Sequence, residues 1–97
     1  MYKLLLFLNK TDEEKILNHF DDFTLKYLSD IAGQKIEAVE VESSLLLDQK
    51  FSKFCEVTVE SKEVWDEKMN SKAGRELNKD LMDFHQFVTA IFVDYKK

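Results

Sequence analysis

The 97-residue chain has no proline, two glycines, one cysteine and two histidines, and each scarcity removes a class of protein. With glycine only at positions 33 and 74, a phosphate-cradling loop and a dinucleotide fingerprint are both disfavoured, because each needs close backbone approach at several glycines. ATP and NAD chemistry are therefore not expected. A lone Cys55 forms no internal disulfide, the device by which small secreted domains hold together, so a reducing cytoplasm is the expected location. Cys55, His19 and His85 are the whole stock of soft metal ligands, and none stands at CxxC, HxxxH or HExxH spacing. Neither a metal nor an organic cofactor is expected. No apolar span reaches the 18 residues of a membrane helix, and the run Leu4 to Leu8 is too short for a secretory signal.

What the chain does have is a core's worth of apolar residues, 44% hydrophobic with eight phenylalanines. That is too hydrophobic for a disordered tail, and the length suits one domain spanning residues 1–97. Fourteen Lys and Arg against nineteen Asp and Glu give a net charge of -5, which repels nucleic-acid phosphates and anionic membranes.

Tyr2 to Leu8 reads as a strand. Thr11-Asp12-Glu13-Glu14 has the form of a capping box, and Ile16, Phe20, Phe23, Tyr27 and Ile31 recur every three or four residues until Gly33. This predicts a helix over roughly 12–32 with a left-handed glycine cap. Residues 35–42 alternate, but the apolar parity changes between Ala38 and Val39, which predicts a β-bulge there. Phe54 to Glu60 alternates again with Cys55, Val57 and Val59 on one side, so the two segments form a hairpin with a long tip carrying Leu45, Leu46 and Leu47. Ser61 caps a second helix that breaks near Ser71 and resumes through Leu77, Leu81 and Phe84. Phe87 to Tyr95 is the last strand.

The order β-α-β-β-α-β with right-handed crossovers gives an α+β, ferredoxin-like fold: a four-stranded antiparallel sheet with two helices on one face. Leu4, Leu6 and Leu8 point one way along the first strand and Leu5 and Phe7 the other; in the last strand Phe87, Ile91, Val93 and Tyr95 oppose Val88, Ala90 and Phe92. A half-exposed antiparallel sheet should alternate apolar with polar. The surplus apolar face is therefore expected to cover a second copy of itself, giving a homodimer packed sheet to sheet. RNA-recognition modules share this strand order, but Glu37, Glu40, Glu42, Glu56 and Glu60 stand on the strands that would meet phosphate, and RNA is not an expected partner.

His19 falls about 60° from Ile16 at the edge of the helical stripe. It is the candidate for proton transfer to a ligand held between helix and sheet, set against a plain boundary histidine. Phe20, Tyr27, Trp65 and Met69 are candidate ligand-binding residues, set against a simple core role. His85 is read as a partner of terminal helix carbonyls, and Cys55 as a small buried hydrophobe.

The strand YKLLLFLNK, the segment Glu13-Glu14 through His19-Phe20-Asp21-Asp22, the run Trp65 to Gly74, and Asp80-Leu81-Met82-Asp83-Phe84 resemble the EthD family of dimeric α+β barrels. The resemblance implies two ferredoxin-like sheets packed into a barrel, and small organic molecules held between each sheet and its helices. The family pattern in this helix runs from a His-aromatic pair to a second histidine and a proline. His19 and Phe20 match the pair, whereas Thr24 and Lys26 stand at the other two places. Two readings follow. One is a homodimer that binds a small hydrophobic molecule beside His19, with the cofactor-free oxidoreductase or degradative activity that the resemblance implies. The other is a non-catalytic dimeric ligand-binding or assembly module, with Leu45 to Leu47 clasping the partner.

Overall fold

The structure is a computed structural model that describes residues 1–42 and 50–95. Strand β1 (Tyr2–Asn9) leads to a long helix in three consecutive segments: α1 (Glu14–His19), a π-helical turn (Phe20–Thr24) and α2 (Leu25–Ala32). Strands β2 (Val39–Glu40) and β3 (Phe51–Val59) follow, then α3 (Lys62–Met69), α4 (Lys72–Asp83), a 3-10 turn (His85–Phe87) and β4 (Val88–Asp94). The sheet order is β2-β3-β1-β4 with every pairing antiparallel, the ferredoxin-like arrangement that the element order predicts.

The pleat divides the sheet into two faces. Leu4, Leu6 and Leu8 of β1 and Cys55, Val57 and Val59 of β3 are buried beneath the helices, against Phe20, Leu28, Ile31, Trp65, Leu77 and Phe84. On the opposite face Leu5, Phe7, Phe54 and Val93 are half-buried and Ile91 is exposed. The Phe7 ring there lies 4.5 Å from Phe51 and 4.9 Å from Phe54. The open face is thus apolar in part: these side chains share it with Lys3 and Glu56, paired at 3.7 Å, and with Thr58 and Thr89. The expected clasp at Leu45 to Leu47 lies outside the described residues.

Several local expectations are met and several move. Gly33 closes α2 with φ 71 and donates its N–H to the Ser29 carbonyl at 3.0 Å, the left-handed cap for which glycine is suited. The helix break falls at Ser71: the Ser61 and Ser71 hydroxyls accept from the Val64 and Gly74 amides at 3.2 and 3.1 Å and start α3 and α4 separately. The first helix, by contrast, begins at Glu14 rather than at residue 12, and no capping box forms. The Thr11 hydroxyl accepts from the Glu13 amide, and the N-cap residue Glu13 makes no side-chain bond to the helix. Strand β2 is shorter than residues 35–42 suggest because the Ile36 amide donates to the Ser29 hydroxyl at 2.9 Å and the Ile36 side chain is buried, which ties that stretch to α2. The register shift lies between Leu8 and Asn9 of β1 and sets Phe51 opposite Asn9, so β3 starts earlier than Phe54.

The largest departure is in the first helix. Phe20 and Ile31 of the predicted stripe are buried, but between them Thr24 and Leu28 are fully buried while Phe23 is 50% exposed and Tyr27 half-buried. The Leu25 amide donates to the Phe20 carbonyl, five residues back. This wide turn admits one extra residue, so Thr24 and Leu28, the positions following Phe23 and Tyr27, face the core in their place.

Gly74 allows α3 and α4 to meet. A Cβ at this position would stand 2.3 Å from the Met69 Cα and 2.4 Å from the Lys68 carbonyl oxygen, both backbone atoms that give only if the helix turn shifts. Gly74→Ala is therefore expected to lower unfolding stability by at least about 2 kcal/mol, as overpacking against backbone does. Urea denaturation checks this, and a loss below about 0.5 kcal/mol would show that the two helices separate freely.

Candidate functional site

His19 ends α1, and its Nε2 lies 2.7 Å from Asp80 Oδ1 on α4, across 61 residues of sequence. The second carboxylate oxygen, Oδ2, accepts from Thr24 Oγ1 at 2.8 Å. Asp80 is buried, its side chain 7% exposed, while His19 is 36% exposed. An ionised carboxylate only accepts hydrogen bonds, which assigns the Nε2 proton to His19 and leaves Nδ1 as the basic nitrogen of the neutral ring. The network holds the imidazole from one side by a charge-assisted bond and locks the carboxylate by a second. Among the described residues, no buried side-chain polar atom lacks a partner.

The π turn makes this convergence possible. In a regular α-helix, residues five apart point about 140° away from each other at 100° per residue. His19 and Thr24 are five apart, yet both reach one carboxylate, because the intervening turn is wound wide. The same rotation carries Phe23 outward. Its ring stands 5.3 Å from the His19 imidazole, and the Phe84 ring stands 4.4 Å from it. His19, Phe23 and Phe84, with Ile16, Asn18 and Asp22 among others, line an open depression of about 720 Å³. Ile16, Phe23 and Phe84 supply its apolar surface, and the oriented histidine stands among the charged side chains of Glu14, Lys15, Asp22 and Asp83.

The other candidates lie elsewhere. Phe20 is fully buried and Trp65 nearly so, both within the core; Met69 packs against that core. Trp65 makes an edge contact with Phe92 at 5.6 Å. Tyr27 lines a smaller neighbouring depression of about 320 Å³ with Asp80 and Asp83. Of the five candidate residues, only His19 lines the large depression. His85 Nδ1 lies 2.9 Å from the Met82 carbonyl near the end of α4, the helix-terminal role expected of it. Among the described residues, no three His, Cys, Asp or Glu side chains gather as a metal-ligand set.

Asp80 and Thr24 escape a reading by local pattern. A signal does exist: Asp80 falls three residues after Leu77 and four before Phe84, on the buried stripe of α4, and Thr24 falls midway between Phe20 and Leu28. A carboxylate in one apolar stripe and a hydroxyl in another need partners, and here each supplies the other's.

Cys55 is 2% exposed, and burial pushes its thiol up from the ordinary 9.0 to about 12. It is expected to resist alkylation at pH 8 in the folded protein and to react once urea unfolds the chain. Because the folded value exceeds the unfolded one, the fold retains the thiol proton. The associated stability is complete below about pH 9 and is lost as pH rises towards about 12. Denaturation midpoints compared at pH 8 and pH 10.5, in wild type and Cys55→Ala, read this out: only the wild type carries the cysteine's share of the decline.

No family model and no curated protein matches the chain. Among solved structures, the crystal structure of an ethyl tert-butyl ether D (EthD) family protein from Bacillus halodurans superposes with a TM-score of 0.80, covering 99% of this chain and 99% of that one at 19% identity. The chain has an EthD-like fold. A second solved structure, of an Arabidopsis thaliana protein, gives a TM-score of 0.63 at 18% identity over 100% of this chain and 95% of that one. At such identities the likeness is one of architecture, and it agrees with the EthD-like fold implied by the sequence resemblance. No helix among the described residues is long and apolar enough to cross a membrane.

Proposed function

We propose that this EthD-like chain acts in the cytoplasm as a homodimer packed through its open sheet face, and that each protomer binds a small hydrophobic molecule in the depression beside His19. The observation that carries the reading is the placement of one oriented imidazole, held by Asp80 at 2.7 Å, on the wall of an aromatic-lined space of about 720 Å³. In this reading His19 Nδ1 takes a proton from the ligand or returns one, and Phe23 and Phe84 cover its apolar body and exclude water. Asp80 acts through His19: it fixes the tautomer and stabilises the imidazolium that proton uptake would form. The oxidoreductase or degradative chemistry implied by the family resemblance belongs to the same proposal, with general acid-base transfer as the protein's contribution.

The test is a screen of small aromatic compounds and ethers against isotope-labelled protein, followed by the ring resonances of His19, Phe23 and Phe84. Saturable shifts confined to these rings are the expected result. If no compound moves the His19 signals, the ligand-site reading fails and the non-catalytic assembly module takes its place, supported by the apolar sheet face alone.

A further inference from the structure

The charges around the depression point to a ligand class. Three carboxylates line it, Glu14 from α1, Asp22 from the π turn and Asp83 from the end of α4, against one ammonium, Lys15. Among the described residues none of these four side chains has an ion-pair partner; the nearby Lys53 is taken up by Asp21 at 2.8 Å. With His19 neutral, the residues lining the depression carry a formal net charge of -2. One aromatic ring is open to the space, Phe23, half of it exposed to solvent, while Phe84 is buried against His19 and Phe87 and shows only its margin. The face of such an open ring is itself attractive to cations. We infer that the site selects an apolar or aromatic molecule bearing a positively charged amine and disfavours a carboxylate of the same shape. This inference rests on the binding site proposed above and adds the charge of its occupant.

The groups differ in what they contribute. The rings supply the apolar contact that any small aromatic would use. Discrimination comes from the carboxylates, which are solvent-exposed and act through water over several ångströms. Their effect is therefore modest and salt-dependent. A positive ligand is drawn toward the net negative lining as strongly as its negative counterpart is repelled, so the preference reflects twice the interaction of either one.

The experiment compares phenethylamine, phenethyl alcohol and phenylacetate, three probes of similar size that share a benzyl group and differ in charge, by titration of the full chain while following the His19 and Phe23 resonances. At low ionic strength the amine is expected to bind about tenfold more tightly than the carboxylate, with the alcohol between them. The gap should close to about twofold in 0.5 M salt. The double variant Asp22→Asn/Asp83→Asn, which brings the lining charge to zero, should narrow it similarly without salt. Both positions are exposed, so the fold is expected to survive, and the salt titration reads the same effect in the wild type. Equal binding of all three probes, tighter binding of phenylacetate, or a preference indifferent to both salt and the double variant overturns this inference while leaving the ligand site standing. Failure of all three to bind overturns both.

Discussion

Replacing Asp80 with alanine is expected to cost about 2–4 kcal/mol of unfolding stability, well above the cost at an ordinary polar surface position. The carboxylate is buried and accepts two bonds, from His19 Nε2 at 2.7 Å and Thr24 Oγ1 at 2.8 Å. Alanine abandons both donors, and the fully buried Thr24 hydroxyl loses the carboxylate to which it donates. The penalty is chiefly that of an unpaired buried polar group rather than of the bond removed. Asn, which keeps one acceptor and adds a donor that the hydroxyl oxygen accepts, should cost only about 1 kcal/mol. Thr24→Val should cost about 1–2 kcal/mol alone, and less than that in the Asp80→Leu background, where no carboxylate remains to be satisfied. Urea denaturation of the set checks each value. Nitrogen chemical shifts of the His19 ring follow the tautomer, expected to be Nε2-protonated in the wild type and mixed in Asp80→Ala. An alanine variant within about 0.5 kcal/mol of the wild type, with an unchanged tautomer, would reduce the network to a surface contact.

The second large effect belongs to the open sheet face. If two copies pack there around a two-fold axis, every residue of the face enters the interface twice. Ile91 is 46% exposed and stands opposite Leu5 on β1, so a lysine at this position is tolerated by the protomer but places two charges in an apolar contact. Ile91→Lys is expected to weaken association by a factor of about 10²–10⁴, the loss of about 1.5–3 kcal/mol at each of two sites. Light scattering at micromolar concentration should give twice the 11.5 kDa chain mass for the wild type and the single mass for the variant. A wild type that scatters as a monomer would show that Leu5, Phe7 and Phe54 face water unaided, and the homodimer would be withdrawn.

Most of the architecture is legible in the sequence because it is written in short-range patterns. The alternation in β1 and β3, the Ser61 and Ser71 caps and the Gly33 terminator each depend on neighbours within a few residues, and they fix the element order that determines the sheet topology. The site is legible only in part. His19 is found by its position at the edge of a stripe, but its partner lies 61 residues away, and no local periodicity says which turn of α4 faces which turn of α1. Phe23 and Phe84 were missed as lining residues for a related reason. A stripe drawn at 100° per residue turns Phe23 inward, and only the wide turn, invisible to that arithmetic, sends it to the surface. Trp65 and Met69 share a helical turn with each other, but α3 carries them to another part of the core.

That turn also says something about length. Counted from Ile16, the residues that face the core fall at positions +4, +8, +12 and +15, namely Phe20, Thr24, Leu28 and Ile31. Remove one residue after Phe20 and the same side chains fall at +4, +7, +11 and +14, the cadence of an unbroken α-helix. By this count the first helix carries one amino acid more than its own packing requires. The surplus does nothing for the hydrophobic layer; what it supplies is the angular offset between an imidazole and a hydroxyl five residues on, and with it a phenylalanine turned toward the outside.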